Sequence, residues 1–272
     1  MLEMSAHEEQ IRTKIKEYFD NSTQCGLDAF IVKKDFPKLK RISFSEVVNE
    51  EGKSFRVILK EMFFEILQEK FLDRECEYAD GHMLADNQHK YWIFEQGDNF
   101  YPFEYLSNTN EIDEFSDEDL IDGSGIIFCI RKQTEKIWLY QHLWSIMVPN
   151  KKKTNLMARI MRFENQIVFA EQRESLLTIA KRIDILIMND YIITNNITLL
   201  QRHFGFQDYI YHSAQQTIQY IIQKNIIENT DKLTEYISRG KSKYAKKMMR
   251  IGSSRVFDLT KEQLMNKVNT LP

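Results

Sequence analysis

A chain of 272 residues with 43% hydrophobic and 12% aromatic residues can bury a substantial core, which excludes an intrinsically disordered protein and leaves room for one large domain or two ordinary ones. The formal net charge of −3 conceals an imbalance: residues 1–150 carry 17 Lys and Arg against 29 Asp and Glu, a balance of −12, whereas residues 151–272 carry 20 against 11, a balance of +9. No apolar run approaches the roughly 20 residues that span a bilayer, and the acidic start Met1-Leu2-Glu3-Met4-Ser5-Ala6-His7-Glu8-Glu9 differs from a basic leader, so the chain is expected to be cytoplasmic.

Ser5-Ala6-His7-Glu8 fits a capping box and opens a helix expected over 5–19, with Ile11, Ile15 and Phe19 spaced by four. A strand is expected over 29–32. A core helix follows over 54–71, where Phe55, Leu59, Met62, Phe63, Ile66, Leu67 and Lys70 recur with helical period and Glu61 and Glu65 mark the wet side. The aromatic segments 90–94 and 100–106 flank a polar loop and read as a hairpin. The acidic run Glu111-Ile112-Asp113-Glu114-Phe115-Ser116-Asp117-Glu118-Asp119 reads as a solvated linker or helix start, the competing reading being a site for a metal or a basic partner. The domain seam is placed here: an acidic α/β region over 1–115 and a basic sheet-and-helix domain over 116–272.

Beyond the seam, 125–130 and 136–142 form a hairpin around Gln133-Thr134-Glu135, and 156–163 and 166–170 another around Glu164-Asn165. A further hairpin over 183–194 turns at Asn189-Asp190, residues suited to the positive φ of tight turns. From Asn196 the period becomes helical: a short helix over 197–203, a break at Gly205, then a helix over 207–224 with Ile210, Ala214, Ile218, Ile221 and Ile222 on one face. Helices over 230–238, 241–250 and 261–268 complete the chain. The expected fold is α+β, antiparallel hairpins forming a sheet with helices packed at its N- and C-terminal sides.

Residues 182–210 read Arg182-Ile183-Asp184-Ile185-Leu186-Ile187, then Tyr191-Ile192-Ile193-Thr194-Asn195, then Leu199-Leu200 and Phe204-Gly205-Phe206-Gln207-Asp208-Tyr209-Ile210. With Lys136-Ile137-Trp138-Leu139-Tyr140-Gln141-His142 and the N-terminal layout, this pattern resembles the bacterial domain-of-unknown-function family that includes the Kiwa anti-phage defence protein KwaB. The resemblance implies phage defence, sequence-independent DNA binding, and association with a membrane-protein partner resembling KwaA that recruits the chain to the inner membrane. Members of that family usually continue into a further C-terminal segment, and this chain ends at Thr270-Leu271-Pro272, so the resemblance implies a shortened member or a fragment.

Four basic stretches are candidates for phosphate contact: Lys151, Lys152 and Lys153, with Arg159 and Arg162 beyond; Lys181 and Arg182; Arg239, Lys241 and Lys243; and Lys246, Lys247 and Arg250. A polyanion rewards such clustering because each neutralised phosphate releases counterions, so binding is salt-sensitive and tolerant of sequence. On a helix from about residue 241, Lys243, Lys247 and Arg250 share one face, while Tyr244, Met248 and Ile251 share another that can pack inward. The plainer reading of that helix is a solvated face with no ligand. A competing class is a protein-interaction subunit, with the charge asymmetry and exposed aromatics Trp138, Tyr140 and Trp144 forming a partner interface or joining copies into a homo-oligomer.

An enzyme is the less supported alternative, and no cofactor or metal is expected. Glu171-Gln172-Arg173 resembles the end of a metal-dependent nuclease strand, but arginine stands where a lysine would serve, and no Asp lies between His142 and Glu171 to share a metal. Asp184 sits among apolar residues and needs either a charge partner or the wet face beside Arg182. His142, His203 and His212 lie in no metal or triad spacing and take no role, and no phosphate-cradling glycine motif occurs among the nine glycines. Cys25, Cys76 and Cys129 have no CxxC spacing and are read as free thiols.

Overall fold

The structure is a computed structural model that describes residues 2–33, 39–45, 47–72, 77–80, 90–95, 103, 106, 112–116, 123–143, 146–147, 158–163, 166–171, 176–188, 191–225, 231–238, 242–252, 259, 262–263 and 266. In chain order its elements are α1 (Leu2–Asp20), β1 (Gly26–Lys33), β2 (Leu39–Ile42), α2 (Phe55–Leu67), β3 (Glu77–Asp80), β4 (Lys90–Glu95), β5 (Gly123–Lys132), β6 (Glu135–His142), β7 (Ile146–Met147), β8 (Ala158–Phe163), β9 (Gln166–Glu171), β10 (Leu176–Leu177), β11 (Ile185–Met188), β12 (Tyr191–Thr194), α3 (Ile197–His203), α4 (Phe206–Gln223), α5 (Asp231–Ser238) and α6 (Ser242–Gly252). The fold is mixed α+β, with antiparallel strand pairs flanked by helices. Two compact units divide it: Gln10–Asp73 with Tyr105–Met188, and Met1–Glu9 with Arg74–Glu104 and Asn189–Pro272. Each takes residues from both sides of position 115, where the seam between the two domains was placed.

In the unit built on 10–73 and 105–188, antiparallel strands run in the order β2-β1-β5-β6-β11. The register sets Phe30 opposite Ile127, Phe128 opposite Leu139 and Trp138 opposite Ile187. Ile126, Ile127, Phe128, Cys129 and Ile130 of β5 are all buried, as expected of a strand covered on both faces. The Ser54 hydroxyl caps α2 by accepting from the Val57 N–H, and Leu59, Phe63, Phe64, Ile66 and Leu67 are buried. Phe63 meets Phe128 of the sheet at 4.5 Å, and Phe64 meets Phe19 of α1 at 5.1 Å. Phe30 and Trp138 meet on the opposite sheet face at 5.9 Å. Phe55, expected in the core, is instead exposed, and a π-helical turn over Gln68–Leu72 ends the helix.

The β5–β6 hairpin forms as expected, closed by Gln133 and Thr134 between the paired Lys132 and Glu135. The β8–β9 hairpin forms too, with Phe163 paired to Gln166. The acidic run supplies an unexpected edge. Arg41 donates its N–H to the Asp113 carbonyl at 2.9 Å, and Phe115 donates to the Arg41 carbonyl at 2.8 Å. Lys40 pairs with Asp113 at 2.7 Å, and the Ser43 hydroxyl donates to Glu114. Residues 112–116 thus cover β2, a strand too short and too charged to be read from its sequence.

In the other unit, β12 pairs antiparallel with β4, and β3 pairs parallel with its other edge. Both edges of β4 are therefore taken; of 100–106, expected as its hairpin partner, only Phe103 and Leu106 are among the described residues, and Phe103 packs on Phe204 at 4.9 Å. Gly205, with φ of 71°, separates α3 from α4 as expected. Ile210, Ala214, Thr217, Ile218 and Ile221 form the buried face of α4, and Phe206 meets Phe94 at 5.0 Å. Ile222, expected on that face, is exposed. The turn at 189–190 and most of the helix expected over 261–268 lie outside the described residues. No helix among the described residues is long and apolar enough to cross a membrane.

Candidate nucleic-acid interface

Helix α6 is built from small residues on one side and cations on the other. Ala245 and Met249, four residues apart, are buried where α6 packs against α4. The approach is close: a Cβ on Gly252 would sit 2.2 Å from the Thr217 hydroxyl oxygen of α4. Lys243, Lys247 and Arg250 are exposed, and Lys246 is half-buried at their flank. No carboxylate among the described residues lies within ion-pair distance of these four. The expected inward stripe is displaced by one residue: Tyr244 is exposed and Met248 and Ile251 are half-buried, because the closely packed seam runs through Ala245, Met249 and Gly252.

The other candidate cations fall into two groups. Lys151, Lys152, Lys153, Arg239 and Lys241 lie outside the described residues, while Arg159 and Arg162 belong to β8. Lys181 and Arg182 are described, and both have partners within the chain. Lys181 Nζ lies 2.9 Å from Glu65 of α2 and 3.6 Å from Glu69 in the π-helical turn that follows it. The hydrogen bond to Glu65 raises its pKa above the ordinary 10.5.

Arg182 belongs to a polar clamp at the end of β6. Its Nε lies 3.1 Å from Asp184 Oδ1, and its Nη2 donates to the His142 carbonyl at 2.8 Å. Asp184 Oδ2 accepts the His142 N–H at 2.7 Å. Asp184 therefore has the charge partner that its apolar surroundings require, and it is buried rather than on a wet face. Gln141 completes the clamp: its amide nitrogen donates to the carbonyls of Ala180 and Arg182, and its amide oxygen accepts the Ala180 N–H. Gln141 escaped the sequence reading, although an amide directly after the apolar run 137–140 signals a side chain that needs buried partners.

Trp138 and Tyr140, expected to be exposed at a partner interface, are buried in the sheet; Trp144 lies outside the described residues. Burial pushes the Tyr140 pKa upward, and its hydroxyl donates to the Ser124 carbonyl. Glu171 ends β9 opposite Ala158, and 172–173 lie outside the described residues. Among the described residues no three of His, Cys, Asp and Glu gather where they could hold a metal ion.

The stretch that holds both the Arg182 clamp and α6 also carries a family signature. A family model described as Kiwa protein KwaB-like matches residues 120–272. The chain belongs to the KwaB-like family of anti-phage defence proteins. The KwaB-like region opens just before β5 and takes in every strand and helix after it, so the resemblance carried by residues 182–210 extends over more than half of the chain. No curated protein and no solved structure matches the chain.

Proposed function

We propose that this KwaB-like protein binds DNA without regard to sequence, as a non-enzymatic component of phage defence, and that the outward face of α6 makes the contact. One observation carries the reading. Lys243, Lys247 and Arg250 project from about 10 Å of helix into solvent with no carboxylate at ion-pair distance among the described residues. Cations in that state keep their full charge for phosphate, and their counterion release favours any duplex alike.

Lys246 extends the face, and Lys151, Lys152, Lys153, Arg239 and Lys241 are proposed as further phosphate contacts on charge alone. Lys181 contributes by exchanging Glu65 and Glu69 for phosphate, an exchange that weak, solvent-screened surface pairs permit. Arg182 serves mainly the clamp. Residence in the cytoplasm and recruitment by a membrane partner resembling KwaA belong to the same proposal, supported by the family alone.

Fluorescence anisotropy with labelled duplexes of unrelated sequence tests the reading. Similar affinities that fall steeply with salt are expected, and the combined reversals Lys246→Glu, Lys247→Glu and Arg250→Glu should weaken every duplex alike. Absence of binding at low salt would remove the reading, and magnesium-dependent cleavage of the duplex would replace it with a nuclease.

A further inference from the structure

Counted by compact unit rather than by position in the chain, the charge falls differently. The unit built on 10–73 and 105–188 carries 23 Lys and Arg against 23 Asp and Glu. Six of those carboxylates lie in the nine residues 111–119, which hold no cation, so the rest of the unit has a balance of +6. A run of that density repels itself and is drawn to cations that the fold sets beside it.

Within the same unit, residues 112–116 of that run lie along β2. Three donors over 40–43 are given to this segment: Lys40 Nζ to Asp113 Oδ2 at 2.7 Å, the Arg41 N–H to the Asp113 carbonyl at 2.9 Å, and the Ser43 hydroxyl to Glu114 Oε2 at 3.1 Å. The Phe115 N–H returns one bond to the Arg41 carbonyl at 2.8 Å. An ammonium, a backbone N–H and a hydroxyl along one short strand are donors of the kind that phosphate oxygens take from proteins. Here carboxylate and carbonyl oxygens of the same chain stand in their place.

The hold is slight. Arg41 and Glu114 form one isolated parallel bridge and not a ladder, and the Asp113 side chain is 80% exposed where it meets Lys40. Water screens such a pair, parallel pairing is the weaker kind, and the crowded carboxylates of the run oppose one another. These contacts suffice to cover a sheet edge, yet they give way to a ligand that brings several negative charges at once.

We infer that the edge of β2 is a second phosphate-contact site, closed by residues 112–116 and opened when the backbone of a nucleic acid displaces them. Lys40, the Arg41 N–H and the Ser43 hydroxyl then pass from Asp113 and Glu114 to phosphate oxygens. The inference rests on the reading of the chain as a DNA-binding protein, and it adds to α6 a contact with a brake of its own.

Hydrogen exchange resolved to single amides, with and without duplex, reads the closure. The Phe115 N–H loses its acceptor when the segment leaves, so saturating duplex should speed its exchange at least about tenfold. The Val57 N–H, which donates to Ser54 at the start of α2, should keep its rate. Asp113→Asn with Glu114→Gln, a pair that preserves size and backbone bonds, should bind the duplex about two- to fivefold more tightly than wild type. Lys40→Gln added to that pair should cancel the gain. An unchanged Phe115 amide on wild type saturated with duplex overturns the inference and leaves DNA binding through α6 standing, as does a carboxamide variant no tighter than wild type or a gain that survives Lys40→Gln. If wild type leaves the duplex unbound, the DNA reading falls by itself and inorganic polyphosphate decides the edge: faster exchange at Phe115 sustains the site, and an unchanged rate overturns it.

Discussion

An added methyl group at Gly125 on β5 would sit 2.3 Å from the Tyr140 ring, which is fully buried. Neither the ring nor the paired strand can retreat cheaply inside a close-packed sheet. Gly125→Ala should therefore lower the unfolding free energy by about 1–3 kcal/mol, read from urea midpoints; an unchanged midpoint would mean that the ring has room to move. At Cys129, burial first and Asp28 second push the thiol from its ordinary 9.0 up to about 12. Below pH 9 the folded and unfolded chains both hold this proton, and between pH 9 and about 12 only the folded chain does, so stability is lost as pH rises through that window. The buried Tyr18 and Tyr140 hydroxyls, also pushed upward by burial, act in the same direction. Urea midpoints taken stepwise above pH 9 should fall, and Cys129→Val should make the fall shallower; a flat profile would show that the thiol ionises in the folded protein.

The α4–α6 seam depends on Gly252 meeting Thr217. Gly252→Ala is expected to cost about 1–3 kcal/mol and Thr217→Ala to relieve part of it, so the double variant should be less destabilised than the two single losses combined. Strict additivity in thermal melts would show that the two residues do not touch. The buried face of α4 was legible because Ile210, Ala214, Ile218 and Ile221 announce it by size and spacing. The seam of α6 was not, because its contacts are Ala245 and Gly252, residues chosen for their smallness, while the bulkier Tyr244 and Met248 drew the reading one position round. Strands β2 and β3 were invisible for a related reason: Leu39-Lys40-Arg41-Ile42 and Glu77-Tyr78-Ala79-Asp80 are short edge strands whose charged residues break the alternation that reveals a buried strand. Trp138 and Tyr140 were misjudged because β6 is buried on both faces, where alternation carries no information.

Across the whole chain, the imbalance between −12 in residues 1–150 and +9 in residues 151–272 was plain from composition. What each cation does was not. Lys181 meets Glu65 and Glu69 from a distant part of the chain, whereas Lys243, Lys247 and Arg250 meet no carboxylate among the described residues, and only folding separates these cases. Family membership was legible because the stretch from Arg182 to Ile210 is one continuous segment, and a continuous segment keeps its order however the remainder packs. DNA binding through α6 is tested most directly by the dependence of log affinity on log salt for one duplex, measured for wild type and for the combined Lys243→Glu, Lys247→Glu and Arg250→Glu variant. Each phosphate contact adds about −0.9 to that slope, so the variant should bind more weakly with a slope shallower by about 2–3. Equal slopes, or a wild type that leaves the duplex unbound at low salt, would contradict the assignment.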